Sequence, residues 1–300
     1  MWTRMLAAIG IAMSLPGAAV AKPAQAGSAA RERIAVISEG TGPDVVLIPG
    51  LASSSTVWSD LVRQLKPKHR LHIVQIAGFA GMPAVGGEDD RVAAPAAEAI
   101  ADYIRRERIA APVVIGHSLG GEVALMLGAR QPELVGRLMV VDALPFYSLL
   151  MNPAATVAMV TPRAAAYRDA MLTATAEQRE AAQAATIARL VKTDGKRRGL
   201  VTSLELSDRK TVANATYELM TTDLRPELPR IRVPVAVVYA YDPLYGVPAA
   251  AIDATFRNAY AGTPDVRFRR IDGSFHFVML DQPAALAQVV TDFIDRPVAN

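Results

Sequence analysis

The chain has 300 residues, 51% of them hydrophobic and 20% charged, enough to bury one sizeable α/β core or two smaller ones. A net charge of +3, with Lys and Arg interleaved among Asp and Glu, leaves no electrostatic footprint for nucleic acid. The chain has no cysteine, which excludes disulfides, thiol nucleophiles and thiolate metal sites.

The N-terminus has the layout of a secretory signal. Arg4 supplies positive charge, Met5 to Leu15 form a short apolar core, and Ala19-Val20-Ala21 ends in a small-x-small cleavage site. A second candidate site, Ala24-Gln25-Ala26, follows it. The apolar run is too short for a comfortable membrane span. We therefore expect a signal peptide over 1–21, a flexible linker over 22–32, and a mature chain that is periplasmic or secreted.

From Arg33 the pattern alternates. A strand to Glu39 and a turn over 40–44 precede Val45 to Ile48, an apolar run of the kind buried on both faces of a parallel sheet. It ends in the loop Pro49-Gly50-Leu51 with Ser53, Ser54 and Ser55, whose serines read as caps for an amphipathic helix over 56–66. Leu71 to Ile76 is a strand, the glycine-rich stretch 78–88 a loop, and Asp89 or Asp90 a cap for a helix running to about Arg108. Next comes the strand Val113 to Ile115, followed at once by Gly116-His117-Ser118-Leu119-Gly120-Gly121 and a helical pattern to about Arg130. Strand, G-x-S-x-G and helix in that order make a nucleophile elbow: a strained turn lifting the Ser118 hydroxyl above the sheet at a helix N-terminus.

Leu138 to Val141 is a further strand, ending at Asp142. Residues 145–226 then hold no convincing strand but several Ala-rich helical stretches, 163–172, 176–192 and 208–221. Lys192, Lys196, Arg197 and Arg198, beside Gly195 and Gly199, read as a solvated turn between helices. Alternation resumes with Val235 to Ala240, a helix near 248–260, Val266 to Ile271 and a last helix over about 283–295. The whole implies a mostly parallel, doubly wound sheet with an inserted helical lid. Core segments are 33–144 and 227–300, and the lid is 145–226.

A serine hydroxyl needs a base to take its proton. The chain has four histidines. His117 adjoins the serine and cannot fold back onto its oxygen. His69 and His72 begin a strand, whereas ligands bind at strand carboxyl ends. His276 remains, in the glycine-containing loop after the last strand. The base in turn needs a carboxylate. Asp242, directly after the penultimate strand, gives the chain order Ser118, Asp242, His276 and is the expected acid. Asp142, which follows the strand next after the nucleophile, is its rival. The developing oxyanion requires two backbone N–H donors, and the amides of Leu51 and Leu119 occupy the right places.

These residues together resemble the α/β-hydrolase superfamily over about 33–295. The resemblance rests on Leu47-Ile48-Pro49-Gly50 with Trp58 beyond it, on the elbow 116–121, on Asp242-Pro243, and on the run His276 to Pro283. Many relatives carry His-Gly where this chain has Pro49-Gly50, a change that spares a backbone oxyanion donor. Serine at 118 speaks against the haloalkane dehalogenases and epoxide hydrolases of the superfamily, which use aspartate there. The resemblance implies a serine esterase acting on a small-molecule acyl substrate through an acyl-enzyme, with no metal or organic cofactor. Relatives with the same triad cleave lactones, amides, proline peptides or carbon–carbon bonds, or act as cofactor-free haloperoxidases. A ligand-binding receptor on a hydrolase scaffold is the alternative from another class.

Overall fold

The computed structural model describes residues 32–86 and 90–295. The expected signal peptide, nearly all of the linker, and Asp89 lie outside the described residues. Seven strands form one sheet in the order β1-β3-β2-β4-β5-β6-β7. They are β1 (Ile34–Glu39), β2 (Asp44–Ile48), β3 (Arg70–Ile76), β4 (Val113–His117), β5 (Arg137–Val141), β6 (Val235–Tyr241) and β7 (Val266–Asp272). Edge strand β1 runs antiparallel to β3, and all other neighbours are parallel.

The apolar runs dictate this layering. In β2, Val46 and Ile48 face a core completed by α2 (Ala93–Arg106) and α3 (Leu119–Arg130). Their neighbours Val45 and Leu47 face the other core, with α1 (Ser59–Leu65) and the C-terminal helix. All four are fully buried, so the strand cannot be amphipathic and must lie between two helical layers. Because the parallel strands share one direction, the loops after β2, β4, β5, β6 and β7 meet along one edge of the sheet.

Between β5 and β6 the chain forms α4 (Val157–Thr173), α5 (Ala176–Leu190), α6 (Asp194–Glu205) and α7 (Arg209–Thr221). Three correspond to the Ala-rich stretches seen in the sequence. The fourth is a correction, since the basic turn expected at 192–199 is largely the start of α6. A Cβ at Gly195 or Gly199 would meet nothing within 4 Å, so both glycines sit on an open helix surface. Buried Leu200 and Ser203, whose hydroxyl bonds the Gly199 carbonyl, hold the helix down. After β6 come α8 (Ala249–Ala259), the single turn α9 (Val278–Asp281) and α10 (Pro283–Ile294). Among the described residues no helix is long and apolar enough to cross a membrane.

The cap of α2 is a second correction. Asp90 pairs with Lys210 at 2.9 Å instead, and Val92 at the N-cap offers no side-chain acceptor. The carboxylate of Glu218, from α7, accepts the amides of Val92, Ala93 and Ala94 at 2.6, 2.9 and 3.1 Å. A negative charge at a helix N-terminus satisfies orphan donors and the helix dipole together. It also ties the inserted helices to the core. Glu218→Ala leaves three buried donors unpaired and should cost about 2–4 kcal/mol in urea unfolding; an unchanged midpoint would contradict this account.

Glu122, buried on α3, has its carboxyl pKa pushed well above the ordinary 4.5 by burial and then by the negative charge of Glu218. A carboxyl with a raised folded pKa keeps a proton that the unfolded chain releases, so its cost to stability grows as pH rises above about 4.5. The stability of Glu122→Gln relative to the native protein should therefore increase from pH 4 to pH 7. A difference independent of pH in paired denaturation curves would contradict a neutral buried Glu122.

Candidate active site

The turn after β4 is the geometric centre of the sheet edge. Ser118 has φ 54° and ψ −123°, a conformation costly for any residue with a side chain. Its amide bonds the carbonyl of Val141 in β5 at 3.0 Å, and its carbonyl accepts the amides of Gly121 and Glu122. The strained residue is thus held by β5 on one side and α3 on the other. Glycine at two flanking positions is a steric necessity. A Cβ on Gly116 would fall 2.0 Å from the Gly120 carbonyl oxygen, and one on Gly120 would fall 2.4 Å from that of Ile48. Ser118 itself is half-buried, with the amide of Leu119 opening α3 beside it.

The loop after β2 runs against this turn. A Cβ built on Gly50 would lie 3.1 Å from Ser118 Cβ. The Ser53 amide donates to the Gly50 carbonyl at 3.2 Å, closing a tight turn through Leu51 and Ala52, the latter at φ 52°. Gln75, which the sequence did not single out, braces the loop. Its Oε1 accepts the Ser55 amide at 2.8 Å and its Nε2 donates to the Ser53 carbonyl at 3.2 Å. Ser54 caps the short turn at 55–58, the capping role expected of this serine cluster.

His276 follows β7. Its ring lies 4.6 Å, centroid to centroid, from that of His117, the residue before the nucleophile. His117 Nε2–H donates to the His276 carbonyl at 3.1 Å. Burial, and then the charge of His276, hold the His117 pKa well below its ordinary value. His117 is therefore a neutral wedge under the histidine loop. His72 is buried between Tyr103 and Asp44, at 2.8 Å from each; it and His69 lie on β3 and in the turn before it.

The partner of His276 corrects the sequence reading. Nδ1 of His276 lies 2.7 Å from Oδ2 of Asp142, so an Nδ1–H donates to Asp142. Asp142 has φ 49°, a left-handed conformation that Asp tolerates better than most residues. Its amide donates to the Val238 carbonyl at 2.7 Å and its Oδ1 accepts the Ala240 amide at 2.9 Å. Both bonds to β6 fix the carboxylate and leave Oδ2 for the imidazole. Asp242 is engaged elsewhere. Its Oδ2 accepts from Lys192 Nζ at 2.6 Å and its Oδ1 from the Leu244 amide at 2.9 Å. The Lys192 bond holds the Asp242 pKa below the ordinary carboxylate value. Residue 242 stands where the strand order suggested, but Lys192, from the inserted helices, takes its carboxylate.

An alpha/beta hydrolase family model matches residues 45–289. The chain belongs to this family. A pimeloyl-[acyl-carrier protein] methyl ester esterase of Aromatoleum aromaticum is 30% identical over 264 residues, covering 84% of this chain and 98% of that enzyme. Among solved structures, an enol-lactonase from Burkholderia xenovorans superposes with a TM-score of 0.69 at 20% identity, covering 88% of this chain and 96% of that one. An esterase from Exiguobacterium antarcticum superposes with a TM-score of 0.70 at 16% identity, over 88% and 96%. The last two share the fold; the first shares sequence along nearly its whole length.

The two aspartates make opposite predictions. Asp142→Asn should lower kcat on an ester by roughly 10³–10⁴-fold, since the amide favours the wrong imidazole tautomer. Asp242→Asn should change kcat by less than about tenfold and act mainly on thermal stability, by weakening the bond to Lys192. The reverse ranking would restore Asp242 as the acid.

Proposed function

We propose that this protein is an exported serine hydrolase that cleaves a carboxylic ester through an acyl-enzyme. Ser118 is the nucleophile, His276 the general base, Asp142 the orienting carboxylate, and the Leu51 and Leu119 amides the oxyanion donors. The observation that carries the reading is the 2.7 Å contact between His276 Nδ1 and Asp142, on a loop packed against the neighbour of a strained serine. With Nδ1–H committed to Asp142, Nε2 keeps its lone pair for the Ser118 hydroxyl proton.

In the first half-reaction Ser118 Oγ bonds to the ester carbonyl carbon while its proton passes to His276 Nε2. The negative charge formed on the carbonyl oxygen is met by two N–H groups. Collapse breaks the bond to the alkoxy oxygen, which leaves as the alcohol with the proton from Nε2. Water then attacks the acyl carbon, giving its proton to Nε2, and the acid departs as Ser118 recovers that proton.

The family and its relative support the substrate class. The Aromatoleum enzyme is named for a methyl ester on an acyl chain, which supports a small alcohol leaving group and a small or medium acyl chain here. The helices over 145–226 act as the lid that shapes the acyl pocket. Export is supported by the sequence alone, through the charged start, the apolar core and Ala19-Val20-Ala21.

The mature protein should hydrolyse short-chain aryl esters, and Ser118→Ala should lose at least roughly 10³-fold in kcat. Unchanged activity in that variant would overturn the assignment. Mass spectrometry of the protein recovered from outside the cytoplasm should give a chain starting at Lys22 or Gly27; a mass retaining residues 1–21 would contradict cleavage.

A further inference from the structure

Both neighbours of His276 connect to one short piece of the inserted helices, the last residue of α5 and the linker that follows it, Phe277 directly and Phe275 through Asp281. On one side, the Phe277 amide donates to the Leu190 carbonyl at 3.0 Å. On the other, the Phe275 amide donates to Asp281 Oδ2 at 2.9 Å. The same carboxylate accepts the Lys192 amide at 3.0 Å on Oδ2 and the Thr193 amide at 2.8 Å on Oδ1. Asp281 therefore joins three backbone amides, one from the histidine loop and two from the linker. Its own position is set by α9, in which the Asp281 amide returns to the Phe277 carbonyl at 3.1 Å. Gln282 Nε2 donates to the Gly273 carbonyl at 3.1 Å and closes the loop beneath. The linker is held in turn by Lys192 Nζ on Asp242, at the end of β6.

We propose that Asp281 is a positioning residue for His276, and that through it the placement of the base depends on the seating of the 191–193 linker. This rests on the reading of His276 as the general base. The chemistry calls for a carboxylate. Two acceptor oxygens face three donors, so an asparagine amide must turn its NH₂ towards at least one backbone N–H whichever way it is flipped. The favoured flip of an asparagine keeps its oxygen on the Phe275 and Lys192 amides and loses only the Thr193 bond. Asp281→Ala loses all three, so the loop is released on one side while Phe277 still holds the other, and the imidazole moves relative to Ser118. The three bonds of Asp281 go to backbone amides, so it acts on His276 through the loop that carries it.

The test is active-site titration of the full mature chain with a fluorophosphonate probe, measuring amplitude and rate constant separately and then kcat and KM on an aryl ester per labelled site. Two variants are compared with the native protein. Asp281→Ala breaks the bridge at its centre. Thr193→Pro deletes one linker donor at a residue whose φ of −75° suits proline. Asp281→Ala should label to full amplitude but roughly 10–100-fold more slowly, with kcat reduced and KM within about twofold, the penalty expected for a base displaced by a fraction of an ångström to an ångström. Thr193→Pro should shift the same quantities in the same direction by a smaller factor. Native rate constants in both variants, or a loss confined to amplitude, would overturn the proposal by reducing Asp281 to a fold-holding residue. Slow labelling in Asp281→Ala alone would overturn the dependence on the linker. If Ser118 of the native protein failed to label at all, the catalytic reading itself would fall first.

Discussion

The close approach of the N-terminus of α3 to the end of β2 governs the whole sheet edge. Gly120 lies so near the Ile48 and Pro49 carbonyls that no side chain fits between them. That contact forces the turn at Ser118 into a strained conformation, brings the Gly50–Leu51 loop alongside it, and orders the first amides of α3. Strain at a single residue persists only where its surroundings over-determine it. Here the Val141 carbonyl, the α3 amides and the Gly50 backbone do so together.

Around this fixed point the acidic groups divide their work. Asp142 is held by two bonds to β6 and directs its free oxygen to His276. Asp242 and Asp281 bind the linker between α5 and α6, one through the Lys192 ammonium and the other through backbone amides. Glu218, on α7, does a comparable task where it caps α2. The insertion is thus joined to the core by buried or half-buried carboxylates as well as by apolar packing. The His276 loop is fastened to it through Asp281 and the Leu190 carbonyl.

Much of this was legible in the sequence because short-range rules apply. Continuous apolar runs gave a sheet buried on both faces, G-x-S-x-G between strand and helix gave the elbow, and elimination among four histidines left His276. What was not legible required knowing which distant groups meet. Asp142 and Asp242 both end a strand and both lie between Ser118 and His276 in the chain, so order alone could not choose between them. The choice turns on Lys192, fifty residues from Asp242, and on a left-handed backbone at Asp142. Glu218 as the cap of α2 was hidden for the same reason, since it lies more than a hundred residues from the amides it accepts. The helix α6 was missed because glycines at 195 and 199 lower helix propensity by about 1 kcal/mol each, while Leu200 and Ser203 secure it by burial.

The proposed chemistry depends most on the bond between His276 and Asp142, and proton NMR reads that bond directly. An imidazole Nδ1–H held at short range by a carboxylate gives a strongly deshielded resonance. Such a signal is expected in the native protein and in Asp242→Asn, and its loss is expected in Asp142→Asn. A signal that survives in Asp142→Asn and vanishes in Asp242→Asn would contradict the proposed chemistry.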